Sequence, residues 1–231
     1  MKLLAFDTST EAMSIALGDG TRVWEHTGAG GAQASSTLIP AIMRLLREAQ
    51  MSLRELDAIA FGRGPGSFTG LRTACSVAQG LAFGAGVKVL PIDTLLALAE
   101  NARLASGRQC IAAALDARMD EMYVARYDFA TAATAPDVEP ELVSPEDFRL
   151  EAGWALAGNV MTPYAQRLQA SGALDFIEAL PSAVAMLRLA PAMLAAGLAL
   201  DAADALPRYI RDKVAKTTSE RAAERAQPAS P

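Results

Sequence analysis

Gly62-Arg63-Gly64-Pro65-Gly66-Ser67-Phe68-Thr69-Gly70-Leu71-Arg72, entered through the apolar run Ala58-Ile59-Ala60-Phe61, decides how this chain is read. Four apolar residues running into glycine make a short buried strand, and the apolar spacing from Ser67 to Phe83 makes a long helix, so the segment joins strand to helix. Five of its eleven residues are Gly or Pro. Glycine lets the backbone turn tightly and lets another group approach its amides, while Ser67 stands where the helix needs an N-cap. The free N–H groups and positive dipole end of that helix attract anions. Two readings follow: a phosphate cradle, or a rigid structural turn with a capped helix. The loop lacks the Gly-Lys-Ser/Thr ending of a Walker A motif, and Ser67 falls where the last glycine of GxGxxG belongs.

Upstream of that loop, Lys2–Phe6, Met13–Leu17 and Arg22–His26 read as three short strands divided by turn-rich pieces such as Gly18-Asp19-Gly20. Leu38, Ile42, Leu45, Leu46 and Ala49 recur at helical spacing between Ser35 and Gln50, with Arg44, Arg47 and Glu48 on the other side and Pro40 placed near the first turn. Downstream, Val87–Pro91 is a strand and Thr94–Leu104 a helix, which gives the order βββαβαβα for residues 1–104. A second region, 105–216, contains strands near Gln109–Leu115 and Glu121–Tyr127, a Pro-, Ala- and acid-rich loop over Thr131–Pro140, and helices near Ser144–Leu150 and Pro181–Ala196. Residues 217–231 have little to bury and end Pro-Ala-Ser-Pro, the composition of a disordered tail.

Directly after the first strand stands Asp7-Thr8-Ser9-Thr10. A carboxylate and hydroxyls at a strand end suit either an ordinary turn or a hairpin loop holding Mg²⁺ and a terminal phosphate. The exclusions are sharper. His26 is the single histidine, so HExxH and H-x-x-x-H metal sites are ruled out, and any Ser/His/Asp or Cys/His arrangement would have to be built on a residue that reads as structural. Asp116 and Arg118 read as a loop ion pair, and Asp120 and Glu121 as neighbours on opposite faces of a strand. Cys75 and Cys110, with no CxxC spacing, read as reduced and buried. No apolar run reaches the roughly 18 residues of a membrane span, and the N-terminus lacks a basic region leading into an apolar signal core, so a soluble, cytoplasmic protein is expected. The chain of 231 residues is 52% apolar with net charge -5; Arg208–Pro231 carries six Lys or Arg against three acids, which leaves an acidic body at -8. Such a body is a poor non-specific binder of nucleic acid.

Phe6-Asp7-Thr8-Ser9-Thr10-Glu11, Phe61–Arg72, Ala78-Gln79-Gly80-Leu81-Ala82, Leu115-Asp116-Ala117-Arg118 and Pro207-Arg208-Tyr209-Ile210-Arg211 together resemble the TsaB (YeaZ) family. The likeness covers residues 1 to about 127 well, is loose from 130 to 200 and returns near 207. It implies an α/β actin-like ATPase (ASKHA, RNase H-like) fold of two lobes, with mixed sheets flanked by helices. It also implies a non-catalytic scaffold or activator that pairs with a TsaD-like catalytic paralogue and helps recruit a TsaE-like ATPase. That complex moves a threonylcarbamoyl group to the tRNA adenosine beside the anticodon. By resemblance the catalytic paralogue binds its metal partly through two helix histidines, and none stands at Gln33-Ala34-Ser35-Ser36 here. The family's pairing surface maps onto the first two helices, through Leu38, Ile42, Leu45, Ala74, Cys75, Ala78, Gly80 and Leu81, and a homodimer is expected when the chain is alone. Asp7, Thr8, Ser9, Gly62, Arg63, Gly64, Pro65, Gly66, Ser67, Thr69, Gly70 and Arg72 form the family motif and would lie near any nucleotide. No tightly bound cofactor or metal is expected, ATP or ADP with Mg²⁺ belonging to the interface of the complex, and tRNA contact is indirect. The alternative is a stand-alone actin-like ATPase or a glycoprotease-type peptidase.

Overall fold

The computed structural model describes residues 1–130, 138–169 and 175–211. The proposed tail at 217–231, most of the loop from Thr131 and the basic residues beyond Arg211 lie outside them.

β1 (Leu3–Asp7) is buried along its whole length and forms the centre of the first sheet. It pairs antiparallel with β2 (Ala12–Gly18) and parallel with β4 (Ala58–Gly64); β3 (Val23–Ala29) and β5 (Lys88–Asp93) complete the order β3-β2-β1-β4-β5. Side chains alternate across a strand, so the two faces separate cleanly. Leu4, Phe6, Ile15, Leu17, Ile59 and Phe61 meet α1 (Ala34–Ala49) and α2 (Phe68–Ala85) on one face. Leu3, Ala5, Ala16, Ala60, Leu90 and Ile92 meet α3 (Thr94–Ser106) and α5 (Ala183–Ala195) on the other.

The second sheet, β10-β9-β6-β7-β8, comprises β6 (Cys110–Asp116), β7 (Met122–Asp128), β8 (Glu141–Val143), β9 (Ala155–Gly158) and β10 (Phe176–Glu178). Its inner face, with Ile111, Ala113, Leu115, Tyr123 and Tyr127, joins the core around α3 and α5, while Val124, Phe148, Leu156 and Val160 form a separate cluster with α4 (Met161–Gln169). Two mixed sheets flanked by helices make the α/β, ASKHA-like fold.

Three local expectations are corrected. Ser144–Leu150 is not a helix: Asp147 N and Phe148 N both donate to Ser144 O in a turn, because Ser144 Oγ also bonds Asp147 and closes the chain locally. Pro40 stands six residues into α1 rather than in its first turn. Asp120 and Glu121 precede β7, and Asp120 lies in a left-handed turn, so they are not opposite faces of a strand. The short strands β8, β9 and β10 and helix α4 had no sequence signal strong enough to place them.

Candidate functional site

Two turns meet at the carboxyl end of the first sheet. β1 runs out at Asp7 into Thr8-Ser9-Thr10, and β4 runs out into the Gly-rich loop; the two are locked backbone to backbone. Ser67 N donates to Ser9 O at 2.7 Å, and Thr8 Oγ1 donates to Gly70 O at 2.7 Å. The glycines serve this packing. A Cβ at Gly70 would lie 1.9 Å from Thr8 O, and one at Gly62 would lie 1.8 Å from Asp7 Oδ2. Gly66 stands against Ser9 in the same way.

Asp7 is sealed beneath this contact at 1% exposure. Its Oδ1 accepts from Ser9 N at 2.8 Å and from Ser9 Oγ, and its Oδ2 accepts from Thr94 Oγ1 at 3.0 Å. Burial pushes its pKa above the ordinary carboxylate value, against those hydrogen bonds, and no cation pairs with it among the described residues. Both oxygens are thus engaged within the chain. Gly66–Gly70 packs directly on the backbone of Thr8 and Ser9, while Ser9 and Thr10 also line an open cleft beside it. Among the described residues, no cluster of three or more His, Cys, Asp or Glu could hold a metal.

Arg63 turns away from Asp7 to a second buried carboxylate, Asp93, with Nε at 2.7 Å and Nη2 at 3.2 Å. Arg208 completes that cluster through Nη1 at 3.1 Å. Gly64, at φ +116°, lets the backbone pass close to Arg208 O, a contact that any side chain would obstruct. Pro65 is buried behind it. Ser67 occupies the N-cap position of α2 without a side-chain cap bond and is exposed together with Thr69, so the side-chain cap expected from sequence is not formed. Arg72 lies 3.8 Å over the Phe68 ring and donates to Tyr209 Oη at 3.2 Å. A cleft of about 400 Å³ opens beside the Gly-rich turn, between the sheets; Ser9, Glu11, Phe68, Asp116, Arg118 and Arg211 help to line it. Asp116 and Arg118 form the expected ion pair at 3.1 Å. The lone histidine, His26, bonds Arg44 at 2.9 Å.

The expected pairing residues separate by face. Leu38, Ile42, Leu45, Ala74, Cys75 and Ala78 are buried in the chain's own core and are unavailable to a partner in this conformation; the apolar stripe of each helix covers its own sheet. Gly80 is exposed and Leu81 half-buried. The outer surfaces carry apolar residues that the periodicity assigned to no role: Ile39 and Met43 on α1, and Phe83 on α2, 84% exposed. Gly80, Leu81 and Gly84 border a shallow depression with Leu53 and Arg54. Phe83 was legible as an apolar residue out of phase with the buried stripe; Asp93 and Arg208, distant in sequence, gave no signal of their pairing. Cys75 is buried as expected, whereas Cys110 is half-buried.

A family model described as TsaD, tRNA N6-adenosine threonylcarbamoyltransferase, matches residues 30–227. The tRNA threonylcarbamoyladenosine biosynthesis protein TsaB of Escherichia coli (strain K12) is 34% identical over 223 residues, 93% of this chain and 96% of that one. The protein of the same name from Haemophilus influenzae is 37% identical over 237 residues, 93% and 95% of the two chains. The chain belongs to the TsaB (YeaZ) family. The solved structure of YeaZ from Pseudomonas aeruginosa superposes with a TM-score of 0.80 at 38% identity, over 90% of this chain and 99% of that one. The TsaB likeness therefore runs through residues 130–200 as well, where the motifs alone were loose. No described helix is long and apolar enough to cross a membrane.

Proposed function

We propose that this chain is a non-catalytic subunit of the cytoplasmic machinery for tRNA threonylcarbamoyladenosine biosynthesis, acting as scaffold and activator of a TsaD-like catalytic paralogue and helping to recruit a TsaE-like ATPase. One observation carries the reading: Asp7, the carboxylate at the end of β1, is sealed below the packing of Gly66–Gly70 on Thr8 and Ser9, with both its oxygens bonded within the chain. The names of the relatives supply the pathway. ATP or ADP with Mg²⁺ then acts at the interface of the complex rather than in this chain, and tRNA contact is made through the complex. Pairing uses the outer faces of α1 and α2, where Ile39, Met43, Phe83 and the small Gly80 and Gly84 stand; the same surface serves a homodimer when the chain is alone.

Reconstitution tests this. The purified chain alone should transfer no threonylcarbamoyl group to tRNA, and a mixture of TsaD-like subunit, TsaE-like ATPase and threonylcarbamoyl donor should lose activity when the chain is left out. Transfer by the isolated chain, or full activity without it, would sink the proposal. No feature favours the peptidase reading: Ser67 is exposed at a helix start, and the single histidine is bonded to Arg44.

A further inference from the structure

Arg118, Met119 and Asp120, at the tip of the β6–β7 hairpin, have φ of 61°, 55° and 62°. Left-handed backbone is disfavoured for residues with a Cβ and is ordinarily visited singly, not in a run of three. Such a run persists where its surroundings over-determine it. Within the hairpin, Arg118 N donates to Asp116 Oδ1 at 2.8 Å and Ala117 N to Glu121 O at 2.9 Å. Glu121 N also donates to Arg118 O at 3.2 Å, and Arg118 pairs with Asp116 at 3.1 Å. Further fixings come from elsewhere. Arg167 of α4 pairs with Asp120 at 2.7 Å. Arg211 donates to Arg118 O at 3.3 Å and pairs with Glu121.

Arg211 ends a segment, Ala205–Arg211, that is anchored at its other end on the first sheet. Ala205 O accepts from Gln79 Nε2 at 3.0 Å and from Cys75 Sγ at 3.4 Å, both on α2. Arg208 N donates to Arg63 O at 2.6 Å, and its guanidinium reaches Asp93 of β5 and, at 2.6 Å, Glu139 of the second region. Tyr209 stacks on Phe68 at 5.4 Å. Phe68, Arg118, Met119 and Arg211 all line the cleft between the sheets.

We propose that Ala205–Arg211 is a latch across that cleft: anchored on α2, β4 and β5, it holds the β6–β7 tip in its left-handed form through Arg211 and so fixes the width of the cleft. The anchor end rests on several contacts, Arg208 on the fully buried Asp93 and Ala205 on α2 among them, whereas among the described residues the hairpin end rests on Arg211 alone, whose ion-pair partner Glu121 is partly exposed, and such exposed pairs are individually weak. The releasable end is therefore the hairpin end. When it opens, the tip relaxes to a right-handed turn and the cleft widens. The inference does not depend on the function proposed above.

Hydrogen–deuterium exchange on the full chain tests the latch. Arg211→Gln should speed exchange several-fold at residues 116–122 while β1 and α1 stay protected, and Glu121→Gln, which removes the same contact from the other side, should do likewise. Unchanged exchange at 116–122 in both variants overturns the proposal, as does acceleration spread evenly over the chain. A second measurement separates the latch from a plain surface contact. Met119→Gly removes the left-handed penalty, so it should raise the thermal midpoint more in the wild-type background than with Arg211→Gln, where the tip has already relaxed. Equal shifts in the two backgrounds would mean that Arg211 does not hold the tip.

Discussion

A methyl group at Gly70 would collide with the Thr8 carbonyl oxygen, which belongs to the central strand's own turn and cannot swing away as a side chain would. Gly70→Ala should therefore cost about 1–3 kcal/mol, the usual range for overpacking, read from chemical denaturation midpoints. Asp7 gives a pH signature. Its folded-state pKa lies above the ordinary 3.8, so the folded chain holds the proton more tightly than the unfolded one. The stability it contributes is complete below that ordinary value and is lost as pH rises through the raised folded value. Asp7→Asn keeps an acceptor for Ser9 and offers a donor to Thr94 without the buried charge. At pH 8 it should match or exceed the wild type, by about 1 kcal/mol for each unit by which the pKa is raised, and the difference should vanish near pH 4. A variant that is equally destabilised at both pH values would show that the carboxylate charge is not the controlling term. Tyr127 adds a second buried group, a hydroxyl without a hydrogen-bond partner among the described residues near the Asp93 cluster, its pKa driven up by burial. Tyr127→Phe should leave the melting temperature unchanged or higher, since it removes a desolvated polar atom.

At the scale of the element, α1 and α2 each have two faces with different duties. The inner residues, such as Ile42, hold the helix on the sheet, and Ile42→Ala should cost about 2–5 kcal/mol of stability. The outer residues do no such work. A side chain at Gly80 would meet nothing within 4 Å, so Gly80→Glu should leave the fold of the single chain, read by circular dichroism, in place. If α2 pairs with the TsaD-like subunit, the same variant should abolish co-purification with it; a retained complex would move the interface elsewhere. Phe83, exposed and apolar, should behave as Gly80 does, with Phe83→Ser weakening pairing but not folding.

At the scale of the molecule, α3 is shared between the two sheets, so one apolar core runs from β5 to β7 and the C-terminal segment crosses the same boundary outside it. The cleft between the sheets has an exposed mouth, while Asp7 beside it is buried with both oxygens bonded within the chain. Titration of ATP and Mg²⁺ into the isolated chain should accordingly give weak heats or none and no hydrolysis. Tight binding with turnover would revive the stand-alone ATPase reading.

The order βββαβαβα was legible because continuous apolar runs and period-3.6 apolar patterns are local properties, and Leu3–Asp7, Ala34–Ala49 and Phe68–Ala85 express them strongly. The family was legible for a related reason: the glycines of the 62–72 loop are each required by a close contact, so their spacing is distinctive. What sits in those contacts was not legible. Whether a glycine makes room for a phosphate or for another stretch of the same backbone depends on atoms far away in sequence, and only the folded chain brings Thr8 onto Gly70 and Arg208 onto Asp93. The inward or outward sense of α1 and α2 was likewise decided by the sheet they cover, which claimed the apolar stripe first and left Ile39, Met43 and Phe83 outside. The second region was read least well because β8, β9 and β10 are three or four residues long, too short for a period to appear, and their place comes from pairing: β8 on β7, β9 on β6 and β10 on β9.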